Sequence, residues 1–157
     1  MKTAVFPGSF DPFTVGHESI VKRGLALSDK IIIAVGYNAE KNGFFSLEAR
    51  KKMIRDTFRG VANVEVESYE ILTIDYCRQK DARFLIRGLR TAADFEYERA
   101  IAQVNKAMAT ELESVFLLCA PEHTPVNSSI VRDIIRHNGN ADKFVPAAIN
   151  YREYINL

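Results

Sequence analysis

Short apolar runs alternate along the chain with longer segments in which apolar residues recur at helical spacing. The run Lys30–Val35 (KIIIAV) is apolar and β-branched almost throughout, which is typical of a strand covered on both faces. The run Val61–Val66 (VANVEV) alternates, as an edge strand does. Short apolar runs of this kind predict strands at residues 3–6, 30–35, 61–66, 83–86 and 114–118.

Between these runs the apolar residues recur at helical spacing. Ser46 and Thr14 stand where an N-cap is expected, and Thr73 also has the position of an N-cap. Pro146 is acceptable in the first turn of a final helix. One long segment places Tyr97, Ile101, Val104 and Met108 on one face. The predicted helices cover residues 16–27, 46–58, 73–79, 92–108, 128–137 and 146–155.

Strands that alternate with helices predict parallel βαβ units with right-handed crossovers. We therefore expect an α/β fold, a Rossmann-like, doubly wound, five-stranded parallel sheet with helices on both faces. No linker, repeat or low-complexity tract divides the chain, so residues 1–157 are expected to form a single domain. Ligands of such sheets bind at the carboxyl ends of the strands, which directs attention to the loops that follow them.

Composition narrows the possible partners. The 157 residues are 47% hydrophobic and 26% charged, which favours a packed core, and the net charge of +1 gives no basic excess for nucleic acid. No apolar run approaches the roughly 20 residues of a membrane span, and we expect no signal peptide in the first residues, because Pro7, Gly8 and Asp11 interrupt the apolar run there. We expect a cytoplasmic protein without nucleic-acid or membrane partners, in which Cys77 and Cys119 are ordinary thiols.

The loop after the first strand, FPGSFDPFTVGH, has the features of a phosphate site. Gly8 lets a ligand approach the main chain, Ser9 offers a hydroxyl, and Asp11 can accept hydrogen bonds from backbone amides. If Thr14 caps the next helix, His17 lies in its first turn, where free N–H groups and the dipole favour an anion.

Two later loops add positive charge and hydroxyls at the same edge of the sheet. Arg87 and Arg90 flank a Gly-Leu pair after the fourth strand, and guanidinium groups suit phosphate oxygens. Ser128 and Ser129 begin a helix after the fifth strand, where one of them could act as the N-cap. Glu98 follows on the next helix, where it could hold an arginine or a ribose, although taken alone it is an unremarkable surface residue.

Three motifs carry a family resemblance. Thr14–His17 (TVGH) resembles the T/H-x-G-H signature of the nucleotidylyltransferase superfamily. Leu85–Glu98 (LIRGLRTAADFEYE) and Val126–Gly139 (VNSSIVRDIIRHNG) resemble the second and third signatures of bacterial phosphopantetheine adenylyltransferases. The resemblance implies transfer of AMP from ATP to 4′-phosphopantetheine, which gives dephospho-coenzyme A and pyrophosphate in coenzyme A biosynthesis.

The resemblance also implies roles for individual residues. Catalytic roles fall to His17, Lys41, Ser9 and Arg90, and the acceptor would be bound by Ser9, Lys41, Thr73 and Arg87. Further implications are Mg²⁺ delivered with ATP and not held by a protein cage, a homohexamer, and coenzyme A as a feedback inhibitor. The ATP site would comprise Ser9, Phe10, His17, Gly88, Leu89, Arg90, Glu98, His123, Thr124, Pro125, Val126, Asn127, Ser128 and Ser129.

The chain departs from the family pattern at a few positions. Asn42-Gly43 replaces the usual Lys-Pro, which predicts a looser loop beside Lys41. His123 stands where the family more often has an aromatic residue, Asn127 replaces a hydroxyl residue, and Ser9 replaces a commoner Thr.

Two other functions are compatible with parts of the sequence. A sister enzyme that acts on glycerol phosphate with CTP, or on nicotinate mononucleotide with ATP, would use the same T/H-x-G-H chemistry. A nucleotide-binding sensor would have the same glycine loops, although it would not need the second phosphate site that Lys41, Arg87 and Arg90 suggest.

Overall fold

Five strands form the centre of the computed structural model, which describes residues 1–157. All neighbouring strands are parallel, and the predicted sheet is confirmed. The strands are β1 (Thr3–Gly8), β2 (Lys30–Gly36), β3 (Val64–Tyr69), β4 (Phe84–Leu89) and β5 (Glu113–Leu118). Their order in the sheet is β3-β2-β1-β4-β5.

Five helices connect or follow these strands, and short 3₁₀ turns fill the rest. Thr14 and Ser46 cap the first and second helices with their side-chain oxygens, as predicted. The helices are α1 (Val15–Gly24), α2 (Leu47–Thr57), α3 (Thr73–Gln79), α4 (Ala92–Met108) and α5 (Ser128–Arg136). The 3₁₀ turns are Pro121–His123, Asp142–Phe144 and Tyr151–Tyr154.

Both faces of the sheet are covered, because alternate residues of the central strands pack on opposite sides. On one face Ile31 and Ile33 join a cluster with α1 and α2 residues such as Ile20 and Ile54. On the other face Ile32 packs with residues of α3 and of the segment after α4. The double burial predicted for β2 is confirmed, since all five of its central residues are buried.

The strand order reverses between β1 and β4. From β1 the chain first builds β2 and β3 on one side and then crosses to β4 and β5 on the other. The connections that leave β1 and β4 therefore diverge and open a crevice at the carboxyl edge, where ligands of such folds bind.

Two predictions about the helices were wrong. No helix spans residues 146–155; Asn150 is extended, and its side chain accepts from the amide of Arg152 to begin only the short turn Tyr151–Tyr154. Thr73 does not cap α3, because Leu72 takes the cap position and the Thr73 hydroxyl instead contacts the hydroxyl of Tyr69. The third strand also begins three residues later than predicted, at Val64.

Helix α4 lies at the surface, and none of its residues is buried. Its predicted apolar face is present, and Tyr97, Val104 and Met108 are 70%, 58% and 52% exposed. None of the helices combines the length and hydrophobicity that crossing a lipid bilayer requires.

Candidate active site

Two neighbouring cavities lie at the carboxyl edge of the sheet. The larger of the two, of about 350 Å³, opens where the connections after β1 and β4 diverge. Its wall is formed by the first loop, the start of α1, the end of β4 and the segment before α5. Leu89, Thr124, Pro125 and Ser129 belong to the predicted ATP site but lie outside the wall. The predicted ATP-site residues that line the cavity are Ser9, Phe10, His17, Gly88, Arg90, Glu98, His123, Val126, Asn127 and Ser128.

A second cavity, of about 320 Å³, lies next to the first over β1, β4 and the start of α3. Thr73 contributes to its wall, together with Tyr69 and Asn105. The two cavities share one partition, so two ligands could meet across it. The shared residues are Pro7, Gly8, Ser9, Arg87 and Glu98.

Lys41 is the one predicted catalytic residue that does not line either cavity. It is exposed in the segment between β2 and α2. Its role at the acceptor phosphate stays a prediction.

His17 is held by the cap of its own helix. The backbone N–H of Thr14 donates to Nδ1 of His17 over 3.0 Å, and the backbone N–H of His17 approaches Oγ1 of Thr14 over 3.3 Å. This is a capping box in which histidine takes the place of the usual Glu or Gln. Because Nδ1 is the acceptor, a neutral ring carries its hydrogen on Nε2.

The surroundings of His17 keep its ring neutral. Three phenylalanine rings, of Phe6, Phe10 and Phe13, surround it at centroid distances of 6.2, 5.0 and 5.3 Å. Burial, and then the charges of Arg90 and Arg87, lower the pKa of His17 from 6.5 to about 3. At neutral pH the Nε2–H is therefore a hydrogen-bond donor without a positive charge.

Arg87 is one of the five residues of the partition that lines both cavities. Its Nε and Nη2 donate to the two carboxylate oxygens of Glu98 over 2.9 and 2.7 Å, and its Nη1 donates to the carbonyl of Pro7 over 2.9 Å. A bidentate pair of this kind fixes the plane of the guanidinium. Glu98 thus orients an arginine, which is one of the roles that its sequence position suggested.

Arg90 is attached to the beginning of α4. Asp94 accepts from the backbone N–H of Arg90 over 3.1 Å and lies 3.3 Å from its Nε. The guanidinium is half-buried in the wall of the larger cavity, where it faces the same space as His17.

Comparison with known proteins identifies the family. A model described as Cytidylyltransferase-like matches residues 5–134. The phosphopantetheine adenylyltransferase of Flavobacterium johnsoniae is 50% identical over 153 residues, which cover 98% of this chain and 100% of that protein. The chain belongs to the phosphopantetheine adenylyltransferase family. The enzyme of that name from Leptospira biflexa is 44% identical over 93% of this chain and 91% of its own length.

Solved structures of other nucleotidyltransferases share the fold. A putative nicotinate-nucleotide adenylyltransferase from Vibrio parahaemolyticus superposes with a TM-score of 0.72 over 100% of both chains, at 18% identity. A bifunctional NMN adenylyltransferase/ADP ribose pyrophosphatase from Francisella tularensis, complexed with AMP and a Mn ion, gives a TM-score of 0.71 at 16% identity. The match covers 99% of this chain and about half (49%) of that one. At these identities the likeness concerns the fold.

Within this family member, the beginning of α5 differs from the sequence prediction. Asn127, and neither serine, is the N-cap; its side chain accepts from the amide of Ile130 over 2.9 Å. The Ser128 hydroxyl donates to the carbonyl of Pro12 over 2.8 Å, and the Ser129 hydroxyl accepts from Arg132 over 3.1 Å. Asn127 thus keeps the cap in place of a hydroxyl residue and occupies the amide of Ile130, which leaves the amides of Ser128 and Ser129 as donors in the first turn.

Several residues of the site were missed by sequence reasoning. Asp94, Tyr97 and Cys119 line the larger cavity, and Tyr69 and Asn105 line the second. The helical pattern indicates Tyr97 only as part of the apolar face of α4, although its position beside Glu98 in the second signature is a signal for the site. Nothing local marked Tyr69, which faces the cavity because it ends β3 opposite Gly36.

Proposed function

We propose that the protein is a phosphopantetheine adenylyltransferase that transfers AMP from ATP to 4′-phosphopantetheine, giving dephospho-coenzyme A and pyrophosphate. One observation carries this proposal: near-full-length identity of about one half to phosphopantetheine adenylyltransferases. The two adjoining cavities at the switch point of the sheet support it, because a two-substrate transfer needs two sites with a common boundary.

The reaction needs no general base from the protein. An oxygen of the acceptor phosphate, already anionic at neutral pH, attacks the α-phosphorus of ATP, and the bond to the β-phosphate oxygen breaks to release pyrophosphate. Catalysis then rests on alignment and on stabilisation of the developing charge. The neutral Nε2–H of His17 is suited to donate to an α-phosphate oxygen.

The residues around His17 divide into two groups. Ser9 and Arg87, which belong to both cavity walls, would hold the attacking phosphate at the boundary, with Lys41 closing on it from the loop before α2. Arg90 and the first-turn amides of α5 would bind the β- and γ-phosphates, because helix N-termini favour anions. Phe10, Gly88, Leu89, Glu98 and the segment 123–127 would enclose the nucleoside.

We propose Mg²⁺ as the cofactor, carried by the triphosphate. No group of three or more His, Cys, Asp or Glu side chains is arranged to hold a metal ion, which fits an ion brought in by ATP. When bound, the ion would neutralise charge on the departing pyrophosphate.

The remaining proposals concern the assembly and its setting. We propose a single nucleotidylyltransferase domain over residues 1–157, a homohexamer in the cytoplasm, and feedback inhibition by coenzyme A, which shares the acceptor arm of the product. The exposed apolar side chains of α4 support self-association, since a patch of this kind is costly in water.

The test is mass spectrometry of a reaction that contains the protein, ATP, Mg²⁺ and 4′-phosphopantetheine. We expect dephospho-coenzyme A and pyrophosphate in equal amounts. Parallel reactions with CTP and glycerol phosphate, and with ATP and nicotinate mononucleotide, test the sister activities. Product only in one of those reactions would refute the proposal, and ATP binding without any product would favour a sensor.

A further inference from the structure

The side chain of Asp11 joins two loops that are distant in sequence. Its Oδ2 accepts from the backbone N–H of Phe44 and its Oδ1 from that of Phe45, each over 2.8 Å. Asp11 is 8% exposed, so water competes little for these charge-assisted hydrogen bonds. One buried carboxylate thus fixes the phosphate loop after β1 to the end of the segment that carries Lys41.

The carboxylate forms these bonds although an arginine lies nearby. Arg50 is 6% exposed, and its Nη1 donates to the carbonyl of Ser9 over 2.9 Å. Its Nε has no hydrogen-bond partner; burial lowers the pKa of Arg50, and the nearby charge of Asp11 acts in the opposite direction. The guanidinium therefore supports the first loop through the carbonyl of Ser9, while the two oxygens of Asp11 accept from the loop amides.

Gly43 shows how closely the second loop approaches. A Cβ on Gly43 would lie 3.0 Å from Oδ2 of Asp11 and 2.9 Å from the carbonyl oxygen of Phe45. The bare backbone therefore lets residues 43–45 close over the carboxylate. The Asn42-Gly43 departure, which predicts a looser loop, is thus compensated by a firm attachment immediately after it.

We propose that Asp11 is a positioning residue, which sets Lys41 against the acceptor phosphate by holding the end of its loop. This inference rests on the proposed function, in which Lys41 contacts that phosphate. Lys41 lies three residues before the first anchored amide, and Asp11 lies two residues after Ser9, which borders both cavities. Asp11 touches neither substrate itself; it acts through the backbone.

The first test is Asp11→Asn. The amide has an NH₂ group in place of one of the two oxygens, so that group would face one of the two N–H donors and cannot accept from it. We expect faster hydrogen exchange at the amides of Phe44 and Phe45, a fall in kcat of up to about 10²-fold, as for a group displaced by an ångström, and an unchanged KM for ATP. Asp29→Asn is the matched control, because Asp29 also accepts from a backbone amide, that of Lys2, far from the site.

The second test is a double-mutant cycle with Lys41→Ala. If Asp11 acts through Lys41, then Asp11→Asn changes kcat by no more than about twofold once Lys41 is gone. Losses that multiply would overturn the positioning role and leave the proposed function intact. A normal kcat in Lys41→Ala alone would instead show that Lys41 has no role in the reaction, and the positioning role of Asp11 would then be refuted as well.

A second variant covers the case in which Asp11→Asn does not fold. Phe44→Pro deletes one of the two donors and leaves the carboxylate in place. We expect the same loss of kcat and the same dependence on Lys41. An unchanged kcat in this variant, with faster exchange at the Phe45 amide, would overturn the proposal.

Discussion

The backbone N–H of Thr14 donates to Nδ1 of His17 over 3.0 Å, and this contact decides which nitrogen of the imidazole can serve as a donor. It occupies Nδ1 and leaves Nε2–H for the cavity. The helix cap, the tautomer of His17 and the proposed donor to the α-phosphate therefore depend on the same turn, Thr14–His17.

The state of His17 can be measured directly by NMR. Since the pKa of His17 is lowered to about 3, its ring stays neutral throughout the range in which an ordinary histidine titrates. We expect its Cε1–H signal, identified by its absence in His17→Ala, to stay constant between about pH 5 and 8, with the proton on Nε2 in ¹⁵N spectra. Titration of that signal near pH 6.5, or a proton on Nδ1, would contradict this geometry.

Removal of the imidazole tests its role in turnover. Loss of one preorganised donor to a developing charge typically costs about 10²–10³ in rate, so we expect His17→Ala to lower kcat by roughly that factor. The fold should persist, as judged by circular dichroism. His137→Ala is the control, because His137 is exposed at the end of α5 and contacts only Asp133. Near-normal turnover in His17→Ala would exclude His17 from the mechanism.

Local pattern was enough to predict the sheet and the start of α1. An apolar, β-branched run such as Lys30–Val35 is typical of a buried strand, and Thr14 directly precedes the helical pattern, where a hydroxyl residue can act as the N-cap. The support of the first loop could not be predicted in this way. Arg50 reaches the carbonyl of Ser9 and Arg132 that of Asp11, across 41 and 121 residues, and side chains that bind distant carbonyls leave no periodic signal.

Arg87 provides a test of the shared partition. Lysine has one ammonium group and cannot reproduce the bidentate contact with Glu98 together with the bond to Pro7, so Arg87→Lys is not a conservative change. We expect KM for ATP and for 4′-phosphopantetheine both to rise about tenfold, which corresponds to roughly 1.4 kcal/mol each. Steady-state kinetics with each substrate varied in turn gives both values.

The control for Arg87→Lys is Arg78→Lys. Arg78 also binds a glutamate, Glu111, and a backbone carbonyl, that of Met108, but it lies outside both cavities. Neither KM should change in this variant. If Arg87→Lys raised only the KM for ATP, the two substrates would not share this wall.

The end of the chain is attached to α2 through a single acidic side chain. The Tyr154 hydroxyl donates to Asp56 over 2.7 Å, and Lys52 and Arg59 also bind this carboxylate. Hydrogen bonds from Lys52 and then Tyr154 lower the pKa of Asp56 from 3.8 to about 2. In place of the predicted final helix, the end of the chain is held by the packing of Tyr151 and Tyr154 in a hydrophobic cluster and by the hydrogen bond from Tyr154 to Asp56.

Tyr154→Phe should therefore change stability in a pH-dependent way. A carboxylate with a folded pKa below its unfolded value stabilises the protein above about pH 4, and the contribution is lost as the pH falls towards 2. We expect a loss of about 1–2 kcal/mol in the free energy of unfolding at pH 7, measured with urea, and a smaller loss at about pH 2, where the carboxylate of the folded protein is partly protonated. Tyr151→Phe is the control, because its hydroxyl contacts only the backbone of Gly139 and Ala141, so its loss should be equal at both pH values. An equal loss at pH 7 and at about pH 2 in Tyr154→Phe would show that the bond to Asp56 does not set the stability of the carboxyl end.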